Sequence, residues 1–463
     1  MPSYDLAITG GRVLLGDGEP VAADLAIRDG KFAAILAPGS PVDAQERIGV
    51  AGLVVMPGVI DAHLHLGHGR DIARPRVPED AAQETAAAAS GGITTFIPYL
   101  MATEPFETIF EDVRRVTEAG ARIDFGYHFI ISTEAQLAAV PRYIAEFGAP
   151  TFKIFMNNRG GEGKRLGLPD IDDGFLLRLC EAAAAGGGLV CPHPENIEAA
   201  WVLRDRLMAA DPEGKGGLAA WNNSRPPFVE ADAVQRAATL ARYAGARLYI
   251  VHTTSAEALH AAQTARTRGT KIHIETCPHY LTHDIGWAGG DVGKINPPLR
   301  TAADREALWT AVANGSIDTI ATDHVHRDVT GKAGGIWSAS PGCPGLETLL
   351  PVMLSEGHHR RGVPLGRIAA LLSANPARLM GLGHSKGRIA IGLDADLAIA
   401  DLGRSWVLDK ASLHSSAGYS IYEGWKLTGQ VVHTLVRGRT VMRDRTLARA
   451  AIGSGCYLHR ALV

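Results

Sequence analysis

The chain has 463 residues and a mass of 49.0 kDa, which excludes a peptide hormone or a disulfide-stapled miniprotein and allows a large buried core. Lys and Arg total 46 against 49 Asp and Glu, a formal net charge of −3, so no field is built to hold nucleic acid or an anionic membrane surface. Hydrophobic residues make up 46% and charged residues 21%, which excludes wholesale disorder.

The five cysteines, Cys180, Cys191, Cys277, Cys343 and Cys456, are odd in number and include no C-x-x-C pair. That argues against a disulfide framework and against a thiolate zinc knuckle. The opening MPSYDLAITGG lacks the basic segment and apolar run of a secretory leader. No uncharged apolar stretch reaches the ~18 residues that a membrane span needs. The expectation is a cytoplasmic protein.

In chain order, residues 1–55 read as short strands broken by glycine turns: 5–8, 12–15 and 24–27, then the hairpin signal Asp29-Gly30 and a return strand at 31–36. The far end repeats this style at 396–400 and 431–436, with a turn at Arg437-Gly438-Arg439 before 440–442. Segments 1–55 and 385–463 are therefore expected to close one small β-sandwich. Between them, residues 56–384 alternate strand and helix. Strands are expected at 58–64, 93–99, 123–130, 151–156, 188–192, 247–251, 271–276 and 317–322. Helices are expected at 79–90, 105–118, 134–147, 173–185, 231–243, 256–268 and 302–314, with Ala86 to Ala89 a closely packed helical face. This rhythm implies βαβ units, and eight of them favour a distorted (β/α)8 barrel over an open sheet. Segment 197–230 reads as a helix plus a long loop inserted after the fifth strand.

Side chains at the C-terminal ends of barrel strands point into the active site. His63 and His65, in Asp61-Ala62-His63-Leu64-His65, lie two apart at the end of the first strand and face one side, where two imidazoles can grip one divalent ion. Lys153 interrupts the apolar run Thr151-Phe152-Lys153-Ile154-Phe155-Met156. A lysine there either snorkels to a carboxylate or is held neutral, open to modification or to nucleophilic work. His193 and His252 end the fifth and sixth strands, as metal ligands or as hydrogen-bonded core-edge histidines. Asp323 ends the eighth, as a ligand and proton carrier or as a helix cap. Placed on one barrel mouth, these residues converge on a site for two metal ions sharing a hydroxide.

The motifs also carry a resemblance. Met56-Pro57-Gly58-Val59-Ile60-Asp61-Ala62-His63-Leu64-His65, Phe152-Lys153-Ile154-Phe155-Met156, His193-Pro194-Glu195-Asn196, Asn296-Pro297-Pro298-Leu299-Arg300 and Ala321-Thr322-Asp323-His324 stand in this order. With Cys277-Pro278-His279-Tyr280-Leu281 and the Gly392-Leu393-Asp394-Ala395-Asp396 tail, the chain resembles, nearly end to end, the cyclic amidohydrolases: hydantoinases, dihydropyrimidinases, allantoinases and dihydroorotases. The resemblance implies a distorted barrel plus a β-sandwich of both termini, two divalent metal ions (zinc), and Lys153 carbamylated by CO2. It implies that His63, His65 and Asp323 hold the first ion, that His193 and His252 hold the second, and that carbamate and hydroxide bridge them. It implies hydroxide attack on a ring amide carbonyl with Asp323 moving the proton, and it suggests a homotetramer.

Three departures from the family bear on the substrate. Where hydantoinases and dihydropyrimidinases place a tyrosine five residues after the lysine, this chain has Asn158, able to donate a hydrogen bond with shorter reach. Where dihydroorotases carry a carboxylate-binding arginine two residues after the second histidine, Gly67 stands, with Arg70 nearby in the loop. Asn296 resembles the dihydroorotase and allantoinase branch, and backbone groups near Cys277 and Gly342 are candidates for binding a cyclic imide or ureide. His68, His128, His279, His324 and His326 are supporting or incidental. The reading is thus a hydantoinase- or dihydropyrimidinase-like ring opener. An allantoinase, or another ureide- or dihydroorotate-type enzyme, is the alternative, and a noncatalytic scaffold that kept the barrel is the reading from another class.

Overall fold

The computed structural model describes residues 2–462. Both termini contribute to one hydrogen-bonded sheet of nine strands, so the expected sandwich is realised as a continuous mixed sheet. Strand Tyr4–Val13 pairs antiparallel with Val21–Arg28 and parallel with Ala44–Gly49 and Val54–Pro57. The C-terminal strand Leu397–Val407 joins on the far side of Val54–Pro57, antiparallel, and is followed outward by Lys426–Val436 and Arg439–Arg443. The Asp29-Gly30 turn forms as expected, with both residues at positive φ.

The chain passes from this sheet into the barrel through Gly58, whose N–H donates to Asp396. A Cβ at Gly58 would sit 2.2 Å from Thr94 Oγ1, so the crossover admits only glycine. The barrel strands are β1 (Val59–Leu64), β2 (Ile93–Leu100), β3 (Asp124–Phe125, then His128–Ile130), β4 (Thr151–Phe155), β5 (Leu189–His193), β6 (Arg247–Ile250), β7 (Lys271–Thr276) and β8 (Thr319–Ile320). Each pairs parallel with the next. The ring closes beyond β8, where His65 N–H donates to His324 O at 2.9 Å and Asp323 N–H to His63 O at 2.8 Å. Buried Asp61 reinforces the seam by accepting from Thr322 Oγ1 at 2.5 Å. These apolar strands are buried on both faces, as a helix-jacketed parallel barrel requires.

Three elements differ from the sequence reading. β3 is interrupted between Phe125 and His128 instead of running through 123–130. Residues 456–458 lie beside the break: Phe125 N–H donates to Cys456 O at 3.0 Å, and Leu458 N–H to Phe125 O at 2.7 Å. β8 is only two residues long, because the chain turns at Asp323 to close the ring. The insert after β5 is helical rather than a long loop: Ile197–Ala210, Gly217–Ser224, then Pro227–Ala244, the first two joined by a turn that Asp211 pins through the N–H groups of Lys215 and Gly216.

Sheet and barrel are locked together at Lys386. Its buried ammonium lies 2.8 Å from Asp124 at the start of β3, and 2.6 and 3.2 Å from Asp396 and Asp394 ahead of the terminal strand. Arg437 adds a second cation on Asp124.

Candidate metal centre

β1 delivers His63 and His65 to the C-terminal mouth of the barrel, β4 delivers Lys153, and β5 ends at His193. His252 and Asp323 follow β6 and β8 in left-handed backbone, at φ 40° and 46°. For non-glycine residues that conformation is strained, and such strain gathers at functional sites. One nitrogen each of His63 and His65 and one Asp323 oxygen all lie within 4.8 Å of one another. His63 Nε2 is 3.1 Å and His65 Nε2 3.6 Å from Asp323 Oδ1. On the other side, His193 Nδ1 faces His252 Nε2 at 2.9 Å. The two pairs adjoin, with the rings of His63 and His252 5.4 Å apart.

Lys153 is 1% exposed. Its Nζ lies 4.6 Å from the Tyr99 ring centroid and 5.3 Å from that of Phe155. Burial pushes its pKa down, countered in part by Asp323 and Glu275. This is the amine chemistry that reacts with CO2, since only the neutral form is nucleophilic.

The residues present fit divalent cations. His63 Nδ1 is taken by Glu275 Oε1 at 2.6 Å, which fixes the tautomer and leaves Nε2 toward Asp323. His63 Nε2 and His252 Nδ1 are buried without a hydrogen-bond partner among the described residues. Burial opposes charge on His63, but Glu275 and Asp323 outweigh it and push the imidazole up to about 9: the pocket favours positive charge between those groups. Asp323 is held well below the usual carboxylate range, because the histidines around it outweigh its burial.

A cavity of about 460 Å3 opens over these donors, lined also by Asn158, Asn296 and Gly342. Asn158 is buried, its N–H donating to Phe155 O and its carbonyl accepting from Ile171. Asn296 Nδ2 donates to Glu195 at 3.3 Å and its Oδ1 has no hydrogen-bond partner among the described residues. One expectation needs correction. Cys277 is not part of the cavity wall. It is fully buried at the start of helix Pro278–Thr282, and its carbonyl accepts from Tyr280 N–H. Gly342 does reach the wall, but its N–H donates to Lys294 O and its carbonyl accepts from Lys332 and Tyr419, so its polar groups are engaged within the protein. Arg70 pairs with Asp328 in the exposed loop and does not line the cavity.

The supporting histidines have defined partners. His128 bridges Thr151 and Ala62 O and stacks on Tyr99, His324 pairs with Glu84 at 3.1 Å, and His68 pairs with Asp80 in the loop. Several site residues carry no sequence signal of their own. Besides Glu275 there is the buried Glu195–Arg225 pair at 2.7 Å, whose glutamate contacts His193 Nε2 at 3.3 Å and accepts from Asn157 at 2.8 Å. Glu195 stands within the His-Pro-Glu-Asn motif, the one hint available beforehand.

Fold and donor set together are those of a barrel enzyme with a His-His-Asp cluster that could hold a divalent cation at the mouth. The chain belongs to the amidohydrolase family, whose profile matches residues 54–170 and 236–441. It is 32% identical over 463 residues to an L-hydantoinase of Paenarthrobacter aurescens, covering 99% of this chain and 98% of that protein. It is 36% identical over 449 residues to an allantoinase of Solibacter usitatus, covering 94% and 93%. Among solved structures, the dihydropyrimidinase of Brevibacillus agri NCHU1002 superposes with a TM-score of 0.89 at 28% identity, covering 98% of each chain.

Proposed function

We propose that the chain hydrolyses a cyclic amide in the manner of a hydantoinase or dihydropyrimidinase. The observation that carries this reading is the convergence of four imidazoles, one buried lysine and one carboxylate on a single cavity at the barrel mouth. His63, His65 and Asp323 would hold one ion, His193 and His252 the other, and Lys153 as its CO2 adduct would reach both. Carbamylation adds CO2 to the neutral Lys153 amine and releases one proton, leaving an anionic oxygen ligand; a lysine that starts as the ammonium sheds one further proton first. Two divalent ions, most simply zinc, supply polarisation of the amide carbonyl and a water acidified toward neutral pH. Asp323 accepts the proton of the attacking water and returns it to the ring nitrogen as the carbonyl C–N bond breaks. The product is an N-carbamoyl acid or a related ring-opened acid. Asn158 and Asn296 offer amide groups to the ring.

A second reading, a ureide such as allantoin, is favoured by Asn158 at the position of the hydantoinase tyrosine and by the allantoinase relative. Turnover of hydantoin, dihydrouracil, allantoin and dihydroorotate by the zinc-loaded enzyme tests both. Hydrolysis of hydantoin or dihydrouracil is expected, and hydrolysis of allantoin alone moves the assignment to the second reading. Absence of bound metal after loading would favour the scaffold. The five free thiols fit the reducing cytoplasm. A homotetramer, the assembly suggested by the resemblance, is checked by light scattering.

A further inference from the structure

Apart from the metal donors, the cavity wall is cationic. Arg165, Arg204, Arg225, Lys294 and Arg327 line it, against a single further carboxylate, Glu162, among the described residues. Arg225 is balanced by Glu195 at 2.7 Å and Arg204 by Glu162 at 3.5 Å. Among the described residues, Arg165, Lys294 and Arg327 have no carboxylate within ion-pair distance. Lys294 is the most constrained. It is 3% exposed, its Nζ donates to Trp337 O at 3.0 Å, and it lies 4.3 Å from the Trp221 ring centroid. An ammonium has three donors, so two have no carbonyl to meet. Burial pushes Lys294 down to about 7, and Arg225, Arg165 and Lys332 push the same way. Lys332, also buried, donates to Lys294 O at 2.8 Å and to Gly342 O, adding a second positive charge behind the wall.

Lys294 and Lys332 are buried like charges without a carboxylate at ion-pair distance among the described residues, Asp291 offsetting them only from further away, and such burial is costly. Divalent ions at the donors repel these groups, so holding metal does not explain them. An anion that enters with the substrate does. We propose that the ring opened by this enzyme bears an exocyclic carboxylate, which Lys294 binds directly inside the cavity while Arg165 and Arg327 draw it in. The proposal rests on the cyclic-amide reading and adds the substrate's charge to it.

The test compares racemic hydantoin-5-acetic acid with its neutral isostere hydantoin-5-acetamide, using the full-length zinc-loaded enzyme. The acid is expected to have the higher kcat/KM by at least about tenfold, the worth of one charge-assisted hydrogen bond. That ratio should collapse toward unity in Lys294→Met and fall part way in Arg165→Ala, whose side chain is exposed at the mouth. As a readout independent of turnover, the ring-opened N-carbamoylaspartate should raise the melting temperature of the wild type more than N-carbamoylasparagine does. Equal or better turnover of the amide overturns the carboxylate and leaves the cyclic-amide reading standing. A preference that survives intact in Lys294→Met overturns the role of Lys294. Failure to open either hydantoin, allantoin, dihydrouracil or dihydroorotate overturns both readings.

Discussion

His63 Nδ1 and Glu275 Oε1 lie 2.6 Å apart, with both side chains fully buried. The same carboxylate accepts from Tyr249 Oη at 2.7 Å and from His252 N–H at 2.9 Å, so one glutamate on β7 orients a donor from each side of the centre. Glu275→Gln keeps the shape and an acceptor oxygen but removes the negative charge that makes His63 a stronger donor. Metal affinity is expected to fall about 10–100-fold, as measured by competition with a chelator. Unchanged affinity would remove Glu275 from the positioning role.

Removing His193 takes one of two facing imidazoles from the His252 side. His193→Ala should bind one metal equivalent fewer and lose most activity. Elemental analysis beside a hydantoin assay checks it, and full activity with two metals would contradict the ligand assignment.

Lys153→Ala should be inactive, since on the proposed reading it removes the amine that would carry the bridging carbamate. Acetate or propionate should restore part of the activity by occupying the vacated position. A variant matching the wild type would show that the bridge lies elsewhere.

Acid stability should depend on Glu84. Burial pushes its carboxyl up, but His324 and two hydrogen bonds from Ser416 outweigh this and hold it at about 2. A carboxyl depressed in the folded state contributes stability above its unfolded pKa of ~4.3 and loses it as pH falls through the folded value. The contribution, roughly 2–3 kcal/mol at neutral pH, should therefore vanish between about pH 4.5 and 2. Urea unfolding of Glu84→Gln against the wild type at a series of pH values measures it, and the two curves should converge at the acid end.

Lys386→Met should destabilise the whole chain. It leaves Asp124, Asp394 and Asp396 crowded without their cation at the joint between sheet and barrel. Breaking one partner of a buried ion cluster typically costs about 3–5 kcal/mol. The shift in urea midpoint reads it, and a neutral result would mean that Arg437 alone neutralises the cluster.

The convergence of His63, His65, Lys153, His193, His252 and Asp323 on one cavity was legible because a parallel barrel makes strand ends a reliable address: an apolar run terminated by His or Asp states both position and orientation. The left-handed turns at His252 and Asp323 were not legible, since backbone conformation at a single non-glycine residue is imposed by its neighbours. Glu275 was hidden for a related reason. It sits inside a strand whose pattern reads as ordinary alternation, and its partners come from β1 and β6. Lys294, remote in sequence from Trp221, Arg225 and Trp337, gains its meaning only from the cavity they share. The insert between β5 and β6 looked like loop because its glycines cluster at Gly214, Gly216 and Gly217, yet these mark the turn between two helices.

The segment beside the break in β3 has a consequence for biosynthesis. Tyr457 bridges Phe125, and buried Arg460 donates to Tyr127 O and to Thr151 Oγ1 at 2.8 Å, across a gap kept narrow by Gly126 and Gly148. A ribosome delivers β3 more than three hundred residues before the segment that covers its flank, as the 332 residues between Asp124 and Cys456 show. The nascent chain therefore carries an unsealed aromatic seam around Phe110, Phe125 and Tyr127 until Tyr457 has been added. That seam stays open to non-native contacts until residues 456–460 are available to cover it.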